Sequence, residues 1–363
     1  MPEHDIDLAA LTRASRDEVA RQMTICNACR YCEGLCAVFP AMELRRTFTD
    51  GDADYLANLC HNCGACHHDC QYVPPHAFGV DIPAAMAALR EGTYAEYAWP
   101  GMLRPLFAAN GLAIALALVA GIAVFLLGFV VAADPGALFA SGTEPGAFYR
   151  VMPHNAMVAV FGAAFLFAIL SIGISVTRFW RAAGPMPVTL RSLWRAARDA
   201  ATLRYLDGGG MGCMTAGERP DDSRRVWHHV TAYGFLLCFA STSTGTLFHY
   251  VLDWPAPYPW WTPVKVFGVV GGIGLVAGPI GLMAAKGRSG RAGAADDRGL
   301  GRAFLWVLLL LGATGLVLTA LRSTPAMGVL LAVHLGVVFA FFVTMPYGKF
   351  VHGIYRFAAL MRH

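Results

Sequence analysis

Charged side chains are scarce in this chain: only 14% of its 363 residues are Asp, Glu, Lys or Arg. A soluble domain usually carries about 25% charged residues, so this composition argues against an ordinary soluble enzyme. Hydrophobic residues make up 56% of the chain, and its mean hydropathy is +0.49. The first residues also lack a basic stretch followed by an apolar run, so we expect no secretory signal there.

Motifs of nucleotide-binding and hydrolytic sites are also missing. We find no Gly-x-Gly-x-x-Gly after a predicted strand, and no Ser-His-Asp, His-Glu-x-x-His or P-loop pattern. The run 271–277 is superficially similar to a dinucleotide-binding fingerprint, but it lies inside an apolar stretch, where small residues let helices pack closely. We therefore assign any hydride chemistry to a partner protein. The net charge of +4 is modest, and we expect no nucleic-acid partner.

Long apolar stretches follow one another from residue 106 onward. Each is long enough to cross a hydrocarbon core of about 30 Å. The sequence predicts six membrane-spanning helices, over about 106–132, 156–177, 230–252, 264–285, 303–321 and 327–345.

The basic residues between these stretches predict the orientation of the chain. The segments 178–228, 286–302 and 346–363 together hold seventeen Lys and Arg residues, whereas the alternate connections hold two. Because basic loops stay on the cytoplasmic side, we expect both termini and the basic loop 178–228 to be cytoplasmic, in a bacterial inner membrane. Within that loop, the basic amphipathic stretch 190–198 is expected to lie along the membrane surface, with a docking face for a partner as the alternative.

Eight of the ten cysteines form two runs with the same spacing, C-x2-C-x2-C-x3-C. Three thiolates at two-residue gaps wrap one corner of a [4Fe–4S] cluster, and in two-cluster ferredoxins the fourth cysteine of each run binds the other cluster. This spacing predicts one cluster held by Cys26, Cys29, Cys32 and Cys70. It predicts a second cluster held by Cys60, Cys63, Cys66 and Cys36.

Other interpretations of the cysteines explain the spacing less well. The proline that usually follows the fourth cysteine is displaced to Pro40 and Pro74, so the crossed pairing remains one of two that use the same eight residues. Structural zinc needs only two C-x2-C pairs, and disulfides do not persist in a reducing cytoplasm. Cys238 is expected to be a buried small hydrophobe, and the sequence assigns no role to Cys213 or to the glycine run 208–212.

Histidines near the apolar stretches predict b-type haem, because ionisable residues there are costly unless they serve a function. His334 and His352 are separated by about five helical turns, which predicts a shared face, and His228 and His249 by nearly six. With the third span running outward and the sixth inward, His228 should face His352 near the cytoplasm, and His249 should face His334 farther out. We prefer two haems; one haem, and His229 in place of His228, remain alternatives.

These patterns together predict a mainly α-helical protein with two parts. Residues 1–100 should form a cytoplasmic ferredoxin-like helical domain that binds two [4Fe–4S] clusters. Residues 101–363 should form a six-helix transmembrane bundle that binds haem. His154, which precedes the second span, is expected to be interfacial.

Three stretches of the sequence resemble a known family, the tricarballylate- and citrate-utilisation B proteins. They are Cys26–Met42, Tyr55–Cys66 and Arg224–His229, and the similarity extends over nearly the whole chain. The resemblance implies a membrane iron–sulfur and haem b protein that reoxidises the reduced flavin of a partner dehydrogenase. In the best-known members the partner oxidises tricarballylate and electrons pass to the quinone pool. A related fused form takes part in cobalamin biosynthesis, so the family does not determine the partner.

We therefore expect an electron-transfer subunit between a cytoplasmic flavoprotein and membrane quinone. One alternative runs the electrons the other way, from quinol to a cytoplasmic acceptor such as a disulfide reductase. A second alternative is a transporter or membrane sensor regulated by its clusters. The apolar stretches lack the midplane charged residues that would bind a transported substrate.

Overall fold

The computed structural model describes residues 8–132, 135–141, 143–210, 212–215, 219–288 and 300–363. Nearly all regular structure in these residues is helical, which confirms the mainly α prediction. A two-stranded antiparallel ribbon, β1 (Cys213–Met214) with β2 (Pro220–Asp221), is the one sheet within the described part. Much of the predicted basic segment 286–302 lies outside the described residues.

The amino-terminal head is built from helices separated by the two cysteine loops. They are α1 (Leu8–Cys29), α2 (Val38–Glu43), α3 (Asp50–Leu59), α4 (Ala65–His68) and α5 (Ile82–Tyr97). A capping box starts α3: the Thr49 hydroxyl accepts from the Asp52 amide, and the Asp52 carboxylate accepts from the Thr49 amide. The Asp81 carboxylate caps α5 by accepting from the Ala84 amide at 3.1 Å.

The carboxyl-terminal body contains the long apolar helices. In chain order its helices are α6 (Pro105–Ala108), α7 (Asn110–Ala132), α8 (Pro135–Leu138), α9 (Ala147–Val151), α10 (His154–Ala182), α11 (Leu190–Ala201), α12 (Ser223–Val251), α13 (Pro263–Arg288), α14 (Leu300–Leu321), α15 (Met327–Thr344) and α16 (Val351–Arg362). Short 3₁₀ turns lie at Gly101–Leu103, Arg204–Leu206, Gly208–Gly210 and Met345–Tyr347.

Five of the described helices are long and apolar enough to cross a membrane, one fewer than the sequence predicted. They are Asn110–Val131, His154–Ala182, Pro263–Arg288, Leu300–Leu321 and Met327–Tyr347. The predicted span 230–252 forms most of α12, which is continuous but less apolar. Its first turn carries Arg224 and Arg225, and residues 241–246 are Ser, Thr or Gly, so its hydropathy is lower than that of the other long helices. The bundle of six membrane helices is therefore not confirmed.

Glycines let the long helices of the body approach backbone to backbone. A Cβ added at Gly271 of α13 would lie 2.7 Å from the amide nitrogen of Cys238 in α12. A Cβ at Gly121 of α7 would lie 2.7 Å from the carbonyl oxygen of Gly336 in α15. The glycine run in α13 is thus a helix-packing surface, as its apolar surroundings predicted.

The head is fixed to the body by hydrogen bonds around the end of α5. The carbonyl oxygen of Trp99 accepts from the hydroxyls of Ser171 in α10 and Tyr347 before α16. The guanidinium of Arg178 donates to the carbonyl oxygen of Ala98 at 3.0 Å. Buried residues of head and body also belong to one continuous hydrophobic core. The cysteine loops are therefore held in one position above the apolar helices.

Candidate functional site

Four cysteines from the two runs line a single apolar cavity in the head. They are Cys36 of the first run together with Cys60, Cys63 and Cys66 of the second. The chain turns sharply between them, because Asn62 (φ 56°) and Gly64 (φ 87°) adopt left-handed backbone conformations. Glycine adopts such a conformation without steric cost, which explains its place here. The structure thus groups Cys36 with the second run, which is the crossed set expected from the spacing.

The remaining four predicted ligands form a second group at the end of α1. Burial and the neighbouring thiols of Cys32, Cys70 and Cys29 raise the pKa of the Cys26 thiol to about 12. Burial, then Cys70 and Asp69, raise the pKa of Cys32 to about 12 as well. Cys70 therefore lies beside the first run, whereas Cys29 is exposed to solvent.

The thiols of the cavity are poorly suited to ionise together without a counter-charge. Burial and adjacent cysteines raise the pKa of Cys63 to about 11 and that of Cys66 well above its ordinary value. Among the described residues, no three His, Cys, Asp or Glu side chains lie close enough together to bind a single metal ion. Four thiols spread around one cavity fit a multi-iron cluster, whose iron supplies the positive charge that keeps thiolates ionised.

A loop from the body covers this cavity, which the sequence did not predict. A Cβ on Gly208 would lie 3.1 Å from the Cβ of Ala65, and one on Gly209 would lie 3.2 Å from the Cα of Leu35. Tyr205 in the same loop lines the cavity. Gly208 and Gly209 therefore pack closely against both cysteine runs, at Ala65 of the second and Leu35 of the first.

Cys213 at the end of this loop is buried beside Cys63. Its thiol donates to the carbonyl oxygen of Leu206 at 3.3 Å. Cys213 is therefore a packing residue next to the cavity and stands apart from the two groups of four.

Three arginines from distant parts of the chain donate to backbone carbonyls of the second cysteine run. Arg90 of α5 donates to the carbonyl oxygens of Ala57 and Cys60, at 2.6 and 3.0 Å. Arg356 of α16 donates to the same Cys60 oxygen at 2.9 Å, and Arg224 of α12 donates to the carbonyl oxygen of Asn62. We call Arg90, Arg224 and Arg356 the arginine trio. Sequence reasoning missed the trio, although Arg224 lies in a stretch that carried the family resemblance.

The structure brings together the predicted inner histidine pair. The rings of His228 in α12 and His352 in α16 lie with centroids 6.1 Å apart and planes at 78°. Nδ1 of His352 bonds the carbonyl oxygen of Lys349, which leaves Nε2 as the free ring nitrogen. Nδ1 of His228 is buried and has no hydrogen-bond partner within the described residues. His229 instead bonds the carbonyl oxygen of Ala201 at 3.1 Å and stacks on Tyr233.

The structure places the predicted outer histidines differently. Among the described residues, the ring of His249 contacts His154, Tyr149 and Tyr250, and it does not contact His334. His334 is bonded through Nδ1 to the hydroxyl of Thr314 at 2.9 Å.

A break in the last span explains this difference. Helical periodicity places His334 and His352 on one face only if a single helix joins them. In the structure α15 ends at Thr344 and α16 begins only at Val351. The intervening 3₁₀ turn, Met345–Tyr347, interrupts the helical period, so a separation of 18 residues no longer places the two histidines on one face.

Comparison with known proteins places the chain in a family. The model of a family described as citrate utilization protein B matches residues 108–363. A second model, described as the Fer4-like domain of citrate utilization protein B, matches residues 19–96. The chain is 47% identical over 347 residues to citrate utilization protein B of Escherichia coli, a match that covers 95% of this chain and 91% of the relative. No solved structure matches it. The chain therefore belongs to the citrate utilization protein B family, as the residues of its cysteine runs indicated.

Proposed function

We propose that this chain is a membrane electron-transfer subunit in citrate or tricarballylate utilisation. In this proposal it reoxidises the reduced flavin of a cytoplasmic partner dehydrogenase. Electrons pass through two [4Fe–4S] clusters and b-type haem to the quinone pool of a bacterial inner membrane. The observation that carries the proposal is that Arg356, four residues after His352 of the inner histidine pair, donates to the carbonyl oxygen of Cys60, which lines the cavity of four cysteines.

The eight cysteines of the two runs would hold the clusters. The group Cys26, Cys29, Cys32 and Cys70 lies toward solvent, which suits it to accept electrons from a docked flavoprotein. The group Cys36, Cys60, Cys63 and Cys66 has one buried and three half-buried members, and its second run is contacted by Arg224 and Arg356 of the body. Burial around the cavity keeps out water and oxygen, and the loop with Tyr205 completes its wall.

His228 and His352 would hold the inner haem, which supplies one-electron transfer within the membrane. The hydrogen bond between Nδ1 of His352 and the Lys349 carbonyl would leave Nε2 to bind the haem iron. The buried and unpartnered Nδ1 of His228 is the kind of polar atom that a missing ligand contact leaves behind. For an outer haem, His249 and His334 would be the ligands, as the sequence predicted, and the bond from Nδ1 of His334 to Thr314 would leave its Nε2 for the iron.

Absorption and EPR spectra of the full chain, purified with its co-purifying proteins, would test the proposal. We expect a reduced-minus-oxidised spectrum with b-haem bands, EPR signals from two reduced [4Fe–4S] clusters, and a flavoprotein in the preparation. Adding the partner's substrate should reduce the haem, and adding a quinone should then reoxidise it. Clusters without any haem band would overturn the proposed route. Reduction of the clusters by quinol, but not by the partner's substrate, would instead support the reverse direction.

A further inference from the structure

The arginine trio places positive charge around one cysteine run and not the other. Arg90 is buried, and Nε of Arg356 is buried without a hydrogen-bond partner in the described residues. No ion pair joins any of the three to a carboxylate in the part of the chain that the structure describes. Buried charges without an opposite charge are costly, so the site needs a negative group that balances them.

A [4Fe–4S] cluster bound to four thiolates is such a negative group. The three guanidinium groups donate hydrogen bonds to the carbonyl oxygens of Ala57, Cys60 and Asn62, which lie within or just before the second run. The cluster becomes more negative when it gains an electron, so nearby positive charge favours the reduced form. Within the described residues no arginine side chain donates to a backbone carbonyl of the first run except that of Arg30, which lies beside Cys29, donates to Asn27 and is exposed.

Two members of the trio are also linked to the inner histidine pair. Arg224 and His228 lie four residues apart on α12, and His352 and Arg356 lie four residues apart on α16. Residues at this spacing lie on the same face of a helix. Each of these two helices therefore presents an arginine to the second cysteine run and, one turn away, a histidine to the pair.

From this arrangement we propose that the arginine trio is a counter-charge that raises the reduction potential of the cluster held by Cys36, Cys60, Cys63 and Cys66. The proposal rests on the proposed function, because it requires a cluster in that cavity. Each transfer moves one electron from the solvent-facing cluster to the buried one, and no bond forms or breaks. Arginine keeps its proton throughout, so the step needs no proton transfer. The higher potential makes the buried cluster the favoured position of the electron before it passes to the histidine pair.

Potentiometric titration of the purified full chain, followed by low-temperature EPR, would test this inference. The variant Cys63→Ala first identifies which EPR signal belongs to the second run. We expect Arg356→Gln to shift the midpoint potential of that cluster to more negative values and to leave the other cluster unchanged. Arg356→Lys, which retains the charge, should restore most of the wild-type potential.

The control is Arg178→Gln, since Arg178 also donates to backbone carbonyls but at Tyr97 and Ala98. This variant should shift neither potential. If Arg356→Gln fails to assemble its clusters, the half-buried Arg224→Gln is judged by the same shift. An assembled variant with both potentials unchanged, or with equal shifts in both clusters, would overturn the inference. The titration uses chemical mediators, so a missing haem or inactive partner would refute the proposed function without affecting this result.

Discussion

The ring of His154 stacks on the ring of His249, with centroids 3.7 Å apart and planes at 20°. The two residues come from α10 and α12, and Tyr149 packs edge-on against both rings. Nδ1 of His249 is buried and has no hydrogen-bond partner among the described residues. A pair of histidines therefore exists near the end of α12, but its members differ from those that helical phase predicted.

This contact leads to a test of the outer haem. We expect His249→Ala to lose about one haem per chain, whereas His154→Ala should keep both haems, because rings stacked 3.7 Å apart leave no room between them for an iron and its porphyrin. His334→Ala should lose the same haem as His249→Ala, because the bond from its Nδ1 to Thr314 leaves Nε2 for the iron, as the Lys349 bond does in His352. Haem content per chain, measured by the pyridine haemochrome assay, decides between the two partners. Loss of haem in His154→Ala, but not in His334→Ala, would contradict the sequence-based pairing.

The inner pair predicts a second loss that does not depend on the first. Replacing His228 or His352 by Ala should remove about one b haem per chain and leave the iron–sulfur EPR signals in place. His229→Ala is the matched control, since it changes the adjacent residue, whose ring bonds the carbonyl oxygen of Ala201. If His229→Ala loses the haem and His228→Ala keeps it, the ligand assignment shifts by one residue.

Iron analysis would test the crossed pairing of the cysteines. With two clusters the chain should bind about eight iron atoms, and Cys36→Ala should retain about four. In the crossed pairing Cys36→Ala should lose the same cluster as Cys63→Ala, whereas in the uncrossed pairing it should lose the cluster that Cys63→Ala keeps. EPR spectra of Cys36→Ala and Cys63→Ala should therefore show the same remaining cluster. Cys213→Ala should keep both clusters, because Cys213 packs beside Cys63 without joining either group of four.

A buried ion pair in the head predicts a stability effect. Asp54 accepts from Arg16 at 3.0 and 2.8 Å and from the hydroxyl of Tyr97, and its side chain is 1% exposed. Asp54→Ala would remove the buried carboxylate but leave Arg16 its ion pair with Glu96 at 2.9 Å, so we expect a loss below the about 3–5 kcal/mol that an unpaired buried charge typically costs. We expect the temperature at which cluster absorbance is lost to fall by several degrees. Glu18→Ala, which breaks the exposed pair with Arg21, should change stability by about 0.5 kcal/mol or less. Equal effects in the two variants would contradict this account.

The sequence predicted those parts of the molecule whose signals are local. Cluster ligands recur at short spacing in one stretch of chain, so both cysteine groups could be proposed from Cys26 to Cys70 alone. The apolar helices could be predicted from their length and composition. α12 is the exception, because its serines and threonines lower its hydropathy while glycines of α13 let it pack closely.

Features that depend on distant contacts could not be predicted in this way. The arginine trio joins residues 90, 224 and 356 around one loop, and no spacing in the sequence relates them. The predicted pairing of His249 with His334 depends on helical phase. Helical phase is informative only along an unbroken helix, and the turn at Met345–Tyr347 separates His334 from His352.

The hydrogen bonds that the hydroxyls of Ser171 and Tyr347 donate to the carbonyl oxygen of Trp99 fix the head to the body. The head is therefore not a domain that rotates on a flexible linker. In some redox complexes a carrier domain rotates between the electron donor and the acceptor, and turnover slows as solvent viscosity increases. Because the head of this chain is fixed to its body, electron transfer within the chain needs no such rotation. The rate of electron transfer within the chain should therefore not depend on solvent viscosity. Only the binding and release of the flavoprotein should slow in glycerol.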